Sequence, residues 1–313
     1  MLELVDKWIW DSWFVFDGER HHVFYLSASR ALQDPNRRHR HPIVGHAISD
    51  DLKNWTVVTD ALIVSESPAF DSWTTWTGSV VKGDDGRWWM FYTGTSREDG
   101  GDIQRIGAAV SDDLYSWTKL GSESLVEADA RWYEKLDKTV WHDEAWRDPW
   151  VFKREDTWHM LVTARSNVGE PKTRGVVGHA TSKDMLNWKV EPPLSKPGND
   201  FGQQEVFQFE VVDGVPILLF CCGWRELSAE RHLSIGDIDA TYSLVINSDF
   251  SAIDFSNAKP FLENPVYAGR LVQSHGGGWH LLGFENMVDG EFIGRLSDPI
   301  AVTADPFHGL VPR

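Results

Sequence analysis

Apolar residues fall in short runs that come in pairs, each pair interrupted by a polar or glycine-rich turn. Trp13-Phe14-Val15 leads through Asp17-Gly18-Glu19-Arg20 to Val23-Phe24-Tyr25-Leu26, and Val80-Val81 leads through Gly83-Asp84-Asp85-Gly86 to Trp88-Trp89-Met90-Phe91-Tyr92. The pattern returns three times more, around Lys153–Asp156, Asp213-Gly214 and Gly276-Gly277-Gly278. Runs this short, rich in aromatic and β-branched residues, predict strands, and Asp-Gly or Gly-rich turns supply the positive φ of tight hairpins. Five strand-turn-strand units are expected.

A longer phrase follows the first three hairpins. Gly45-His46-Ala47-Ile48-Ser49-Asp50-Asp51-Leu52-Lys53-Asn54-Trp55 recurs as Gly107–Trp117 and Gly178–Trp188, so that the closing tryptophans stand 62 and 71 residues apart. Gly294–Pro299 is a weak echo in the fifth unit. Repeats of this period without a ten-residue amphipathic helix predict an all-β, five-bladed β-propeller, with four-stranded antiparallel blades around a central channel. A two-sheet sandwich is the alternative, but it needs no regular repeat.

One propeller domain is expected over residues 1–309. Leu310-Val311-Pro312-Arg313 reads as a protease-site vestige of an expression tag and is set aside. Seventeen Trp and sixteen Phe suit layered sheets and sugar-stacking surfaces. The net charge of −17 argues against nucleic-acid and anionic-membrane partners and leaves a neutral small molecule as the easier substrate. Adjacent Cys221 and Cys222 point to opposite faces of a strand, so both are expected as buried thiols in a reducing compartment. The N-terminal residues carry Glu3, Asp6 and Lys7 and no apolar core of a leader, which makes a cytoplasmic location the expectation.

The inner strand of each blade lines the channel, so equivalent positions form a ring at one mouth. Asp11 lies 13 positions before Phe24, Asp148 lies 12 before Met160 and Glu205 lies 13 before Leu218, which puts three carboxylates at one level of one pore. Grouped acids are what glycoside chemistry needs: one protonates the leaving oxygen and another attacks the anomeric carbon or activates water. Arg147 beside Asp148 is expected to hold that third acid ionised. Asp71, 19 positions before Met90, is too far upstream for the ring and is placed in a loop.

These residues also carry a resemblance. Trp10-Asp11-Ser12-Trp13, Trp76-Thr77-Gly78-Ser79 and Arg147-Asp148-Pro149, with the register of Glu205–Gly214, resemble the five-bladed fructosyl enzymes. These comprise the levansucrase/inulosucrase family and the invertase/fructan hydrolase family. The resemblance implies Asp11 as nucleophile, Asp148 as transition-state stabiliser, Glu205 as acid/base and Arg147 as a fructose-binding residue. Trp10, Trp13, Trp76, Thr77, Ser79 and Gln204 are further candidates for the substrate pocket. Arg225, Tyr267 and Arg270 fit either a pocket or a structural role.

The expected activity is a retaining β-fructofuranosidase or fructosyltransferase acting on a small fructoside such as sucrose or a short fructan. An inverting arabinanase- or xylosidase-like propeller and a non-catalytic sugar-binding propeller are the alternatives. No cofactor or metal is required, and His142-Asp143-Glu144 reads as a solvated loop. The Arg- and His-rich loop from Asn36 to Pro42 either covers the mouth or is solvated, the latter being the simpler expectation.

Overall fold

The computed structural model describes residues 1–251, 253–261, 266–288 and 290–313. Its strands form five separate antiparallel sheets, four of four strands and one of five, whose inner strands surround a channel. Those inner strands are Lys7–Phe16, Thr74–Lys82, Trp146–Arg154, Glu205–Val212 and Tyr267–Gln273, each the first strand of one predicted hairpin. The five-bladed propeller is therefore present, blade by blade, where the turn pattern put it.

Each interface between neighbouring blades has its own apolar cluster. Trp13, Phe24, Met90 and Tyr92 join blades one and two; Phe91, Trp146, Met160 and Val176 join two and three. Phe207, Phe220 and Tyr242 pack against Leu161 and Val177, and Ile217 and Leu219 against Leu271 and Leu281. Ile9, Val23 and Tyr25 meet Leu282 and Leu296 and close the ring. Burying each large side chain contributes roughly 1.5–3 kcal/mol, so the aromatic load has its place between blades. Closure is reinforced where Leu2 bridges Leu296, with N–H to O distances of 3.3 and 3.0 Å.

The repeated phrase has a local cause. Its Ser and Asp cap a tight turn: Ser49 Oγ accepts from Leu52 N at 2.9 Å, and Asp51 Oδ1 accepts from Lys53 N at 2.9 Å and Asn54 N at 2.7 Å. The Trp55 indole then donates to Leu52 O at 3.1 Å. Ser111, Asp113 and Trp117, and Ser182, Asp184 and Trp188, repeat the arrangement, with Leu52, Leu114 and Met185 all at φ between 63° and 68°.

Blade five departs from the repeat. Its third position is shared by Glu291–Leu296 and Ile300–Asp305, which pair with opposite ends of Trp279–Val288, so the Gly294–Pro299 echo spans the junction. Leu310, Val311 and Pro312 of the tetrapeptide set aside in the sequence pair with Ala304, Thr303 and Val302. Gly309–Pro312 is the outermost strand of this blade, with Leu310 buried and its N–H donating to Ser243 Oγ at 3.0 Å.

Candidate active site

All five inner strands break register near the same end of the channel. The shifts lie between Trp10 and Ser12, Trp76 and Gly78, Arg147 and Trp150, Glu205 and Gln208, and Tyr267 and Arg270. A bulge inserts an unpaired residue and turns side chains out of the sheet's alternation. Here five bulges turn Trp10, Asp11, Trp76, Thr77, Arg147, Asp148, Glu205, Val206 and Tyr267 toward one funnel of about 1530 Å³. The three predicted carboxylates thus share one wall-to-wall site. Asp11 and Asp148 lie within their bulges, whereas Glu205 is the last paired residue before its own, opposite Cys221.

Each carboxylate has distinct company. Asp11 Oδ2 accepts from the Thr77 hydroxyl. Burial raises its pKa and the Glu205 charge adds to that, while the Thr77 bond and Arg270 oppose it. Asp148 sits at φ 57°, a left-handed conformation that Asp tolerates better than most residues. Its N–H donates to Thr93 Oγ1 at 2.9 Å, and its Oδ2 accepts from Thr163 Oγ1 at 2.8 Å and Val206 N at 3.3 Å. Glu205 Oε1 accepts from Arg147 Nη2 at 2.7 Å, and its Oε2 from the Tyr267 hydroxyl.

The expectation that Arg147 holds Asp148 ionised is corrected. The guanidinium is 2.7 Å from Glu205 but 3.5 Å from Asp148, and burial outweighs it, pushing Asp148 up to about 7. Burial alone would lower the pKa of Arg147, but Glu205, Asp143 and Asp148 together raise it above its ordinary value. Gln104 Oε1 accepts from its Nη1 at 2.9 Å and fixes the fork.

Four predicted pocket residues lie elsewhere. Trp13 is fully buried and stacks on Phe24 at 6.3 Å, because two residues past the bulge the strand's alternation has resumed. Ser79 Oγ accepts from Val151 N at 3.1 Å and ties blade two to blade three. Gln204 is buried against Asn199, donating to its Oδ1 at 3.1 Å, and Gln203 faces the funnel instead. Arg270 lies in the shaft beneath the carboxylates, reaching Phe207 O at 2.6 Å and Gly78 O at 3.4 Å. Trp10, Trp76, Thr77, Arg147, Arg225 and Tyr267 do line the funnel.

Two loops read as solvated belong to the site. Asn36, Arg38 and His39 line the funnel, with Arg38 over the Phe292 ring at 3.9 Å and Trp76 Nε1 donating to His39 O at 2.9 Å. His142 and Asp143 also face it, while Glu144 is buried and bound by Lys135 and by Leu136 N at 2.9 Å. Asp71 does occupy the loop before its blade, buried against Tyr92 and Lys119. Thr93, Thr163 and Gln104 were not anticipated: nothing in the sequence marks Thr163, across the hairpin from Asp148, or Thr93 and Gln104, one blade away, as partners of Asp148 and Arg147. Glu226, Asp237 and Asp239, in the loop segment after the second strand of blade four, also line the funnel and were missed.

Residues 7–289 match the sequence profile of the glycosyl hydrolases family 32 N-terminal domain. The chain belongs to glycosyl hydrolase family 32. Among curated relatives, the sucrose-6-phosphate hydrolase of Bacillus subtilis (strain 168) is 28% identical over 163 residues, 50% of this chain and 30% of that protein. An insoluble β-fructofuranosidase isoenzyme of Arabidopsis thaliana is 30% identical over 184 residues, 57% of this chain and 29% of that protein. The matches therefore span less than a third of these relatives' length. Among solved structures, the Bombyx mori family 32 β-fructofuranosidase BmSUC1 aligns with a TM-score of 0.76 at 20% identity, covering the whole of this chain and 64% of that one. Inulosucrase from Halalkalicoccus jeotgali, bound to kestose, gives 0.75 at 22% identity over 97% of this chain and 88% of that one. The propeller is thus shared with fructosyl enzymes, and family 32 membership sets the arabinanase-like alternative aside.

Proposed function

We propose that this family 32 chain is a retaining fructoside hydrolase or fructosyltransferase acting on sucrose or a short fructan. The observation that carries the reading is the convergence of Asp11, Asp148 and Glu205 on one aromatic-walled funnel. Asp11 attacks the anomeric carbon and forms a fructosyl ester. Glu205, held between Arg147 and Tyr267, protonates the departing oxygen and later deprotonates water or an acceptor hydroxyl. Asp148 clasps fructosyl hydroxyls; with a pKa of about 7 it can accept or donate a hydrogen bond to them near neutrality. Trp10 and Trp76 give the flat apolar faces on which a sugar ring stacks.

The test is product analysis after incubation with sucrose, sucrose 6-phosphate and inulin-type oligomers, with Asp11→Asn alongside. Fructose or fructosylated product from the parent protein and none from the variant supports the reading; equal turnover by both defeats it. The proposal places the protein in the cytoplasm, a reading supported by the buried, unbridged Cys221 and Cys222 and tested by cell fractionation. Among the described residues, no helix is long and apolar enough to cross a membrane.

A further inference from the structure

The channel has a second opening. On the far side of Arg270 from the carboxylates, a cavity of about 530 Å³ is lined by residues of blades one, three, four and five. That size lies within the range of about 300–1,000 Å³ usual for small-molecule sites. Phe14, Phe16, Trp150 and Trp279 give it aromatic walls.

Several buried polar atoms lining it have no protein partner. Both ring nitrogens of His21, which is 2% exposed, are unpaired, as are Nε of Arg270, which is 1% exposed, and the indole Nε1 of Trp150. Glu210 also lines the cavity, one of its oxygens accepting from Gln208 Nε2 at 3.2 Å. Donors and acceptors are therefore mixed: Arg270 and Trp150 donate, His21 offers one of each, and Glu210 adds a carboxyl oxygen.

The charge of the cavity narrows the ligand. Burial pushes Glu210 up to about 7 and pulls His21 below its ordinary value, with His275 and Asp17 acting on His21 in opposite directions. The outer nitrogens of Arg270 are turned to the carbonyls of Phe207 and Gly78. A cation would meet the Arg270 charge, and an anion would meet Glu210 with the strongest donors already engaged. A hydroxyl both donates and accepts, so a polyhydroxylated neutral molecule satisfies this set where an ion does not.

We infer that the lower mouth of the propeller is a second binding site, separate from the carboxylate funnel, for a neutral polyol of monosaccharide size. Arg270 lines this cavity and not the funnel, yet its guanidinium reaches the strand that carries Glu205. Arg270 donates to Phe207 O, and the neighbouring Val206 N donates to Asp148, so a ligand on Arg270 Nε lies one peptide from the reacting groups.

Sugar binding to Asp11→Asn, which removes turnover from the measurement, is followed by tryptophan fluorescence and thermal unfolding with fructose, glucose, sorbitol and inorganic phosphate as probes. Trp76→Ala in that background removes a wall of the funnel, and Glu210→Ala or Trp279→Ala a wall of the lower mouth. The inference expects a saturable polyol response that survives Trp76→Ala and is lost when either lower-mouth substitution is added to Trp76→Ala, each of these variants still melting cooperatively. A crystal soaked in fructose should hold a sugar against His21 and Trp150. A response abolished by Trp76→Ala alone, a response to phosphate but not to polyols, or a soaked crystal with sugar only in the funnel would overturn it. None of these outcomes depends on whether fructosides are cleaved.

Discussion

Replacing Thr77 by Val isolates one bond to the proposed nucleophile. Valine keeps the branched shape of the side chain but deletes the hydroxyl that donates to Asp11 Oδ2. A hydrogen bond to a charged group is worth about 1.5–3 kcal/mol, and one pKa unit corresponds to about 1.36 kcal/mol. Without the donor, the Asp11 carboxylate should therefore lose about one to two units' worth of stabilisation relative to its protonated form. The direction follows from the balance at this site: burial already raises Asp11, the Thr77 bond opposes it, and its loss raises the carboxyl further. Only ionised Asp11 can attack, so the acid limb of kcat/KM should move to higher pH by about one to two units, with turnover below the limb falling about 10- to 100-fold. The assay is initial-rate sucrose cleavage across pH, with unfolding curves to establish that the variant is folded. An acid limb that stays in place in a folded, active variant would refute the reasoning.

Other perturbations separate roles that the sequence alone merges. Trp13→Ala should lower stability by about 3–5 kcal/mol in chemical unfolding, because Trp13 fills an interface between blades, whereas Trp76→Ala should raise KM with little change in Tm. Arg270→Met should move the acid limb upward, since its charge lies beneath Asp11 and favours the ionised form, and Arg270→Lys should restore part of the shift. Asp148, raised from 3.8 to about 7, binds its proton more tightly when folded, so it should contribute a loss of stability as pH rises from about 4 to about 7. Asp148→Asn should accordingly raise Tm at pH 8 relative to the parent, by an amount that shrinks toward pH 4, while activity is lost.

The blade count was legible because turns and strands are local: Asp-Gly and Gly-rich turns, aromatic runs and the Ser-x-Asp turn with its tryptophan each act within a dozen residues. The convergence of Asp11, Asp148 and Glu205 followed from the repeat. What the sequence could not reveal was the bulge in each inner strand. A single inserted residue turns Asp11 into the funnel and returns Trp13 to the core, so adjacent members of one motif part company. Ser79 was misplaced for the same reason, whereas Gln204 precedes its strand and turns to Asn199. The partnership of Arg147 was misread because a neighbour in sequence was weighed above Glu205, a neighbour across the channel. The loops at the mouth were read by their polarity, which does not distinguish solvent from a polar pocket.

The central claim is that Asp11 becomes covalently attached to the sugar. It is tested most directly by mixing the protein with sucrose, quenching in acid within the first turnover and mapping the modified peptide by mass spectrometry. The account predicts one fructosyl residue esterified to Asp11 in the parent protein and accumulating further in Glu205→Ala supplied with a fructoside whose leaving group needs no protonation. Cleavage that proceeds with no adduct and with inversion at the anomeric carbon, or an adduct on Asp148, would contradict it.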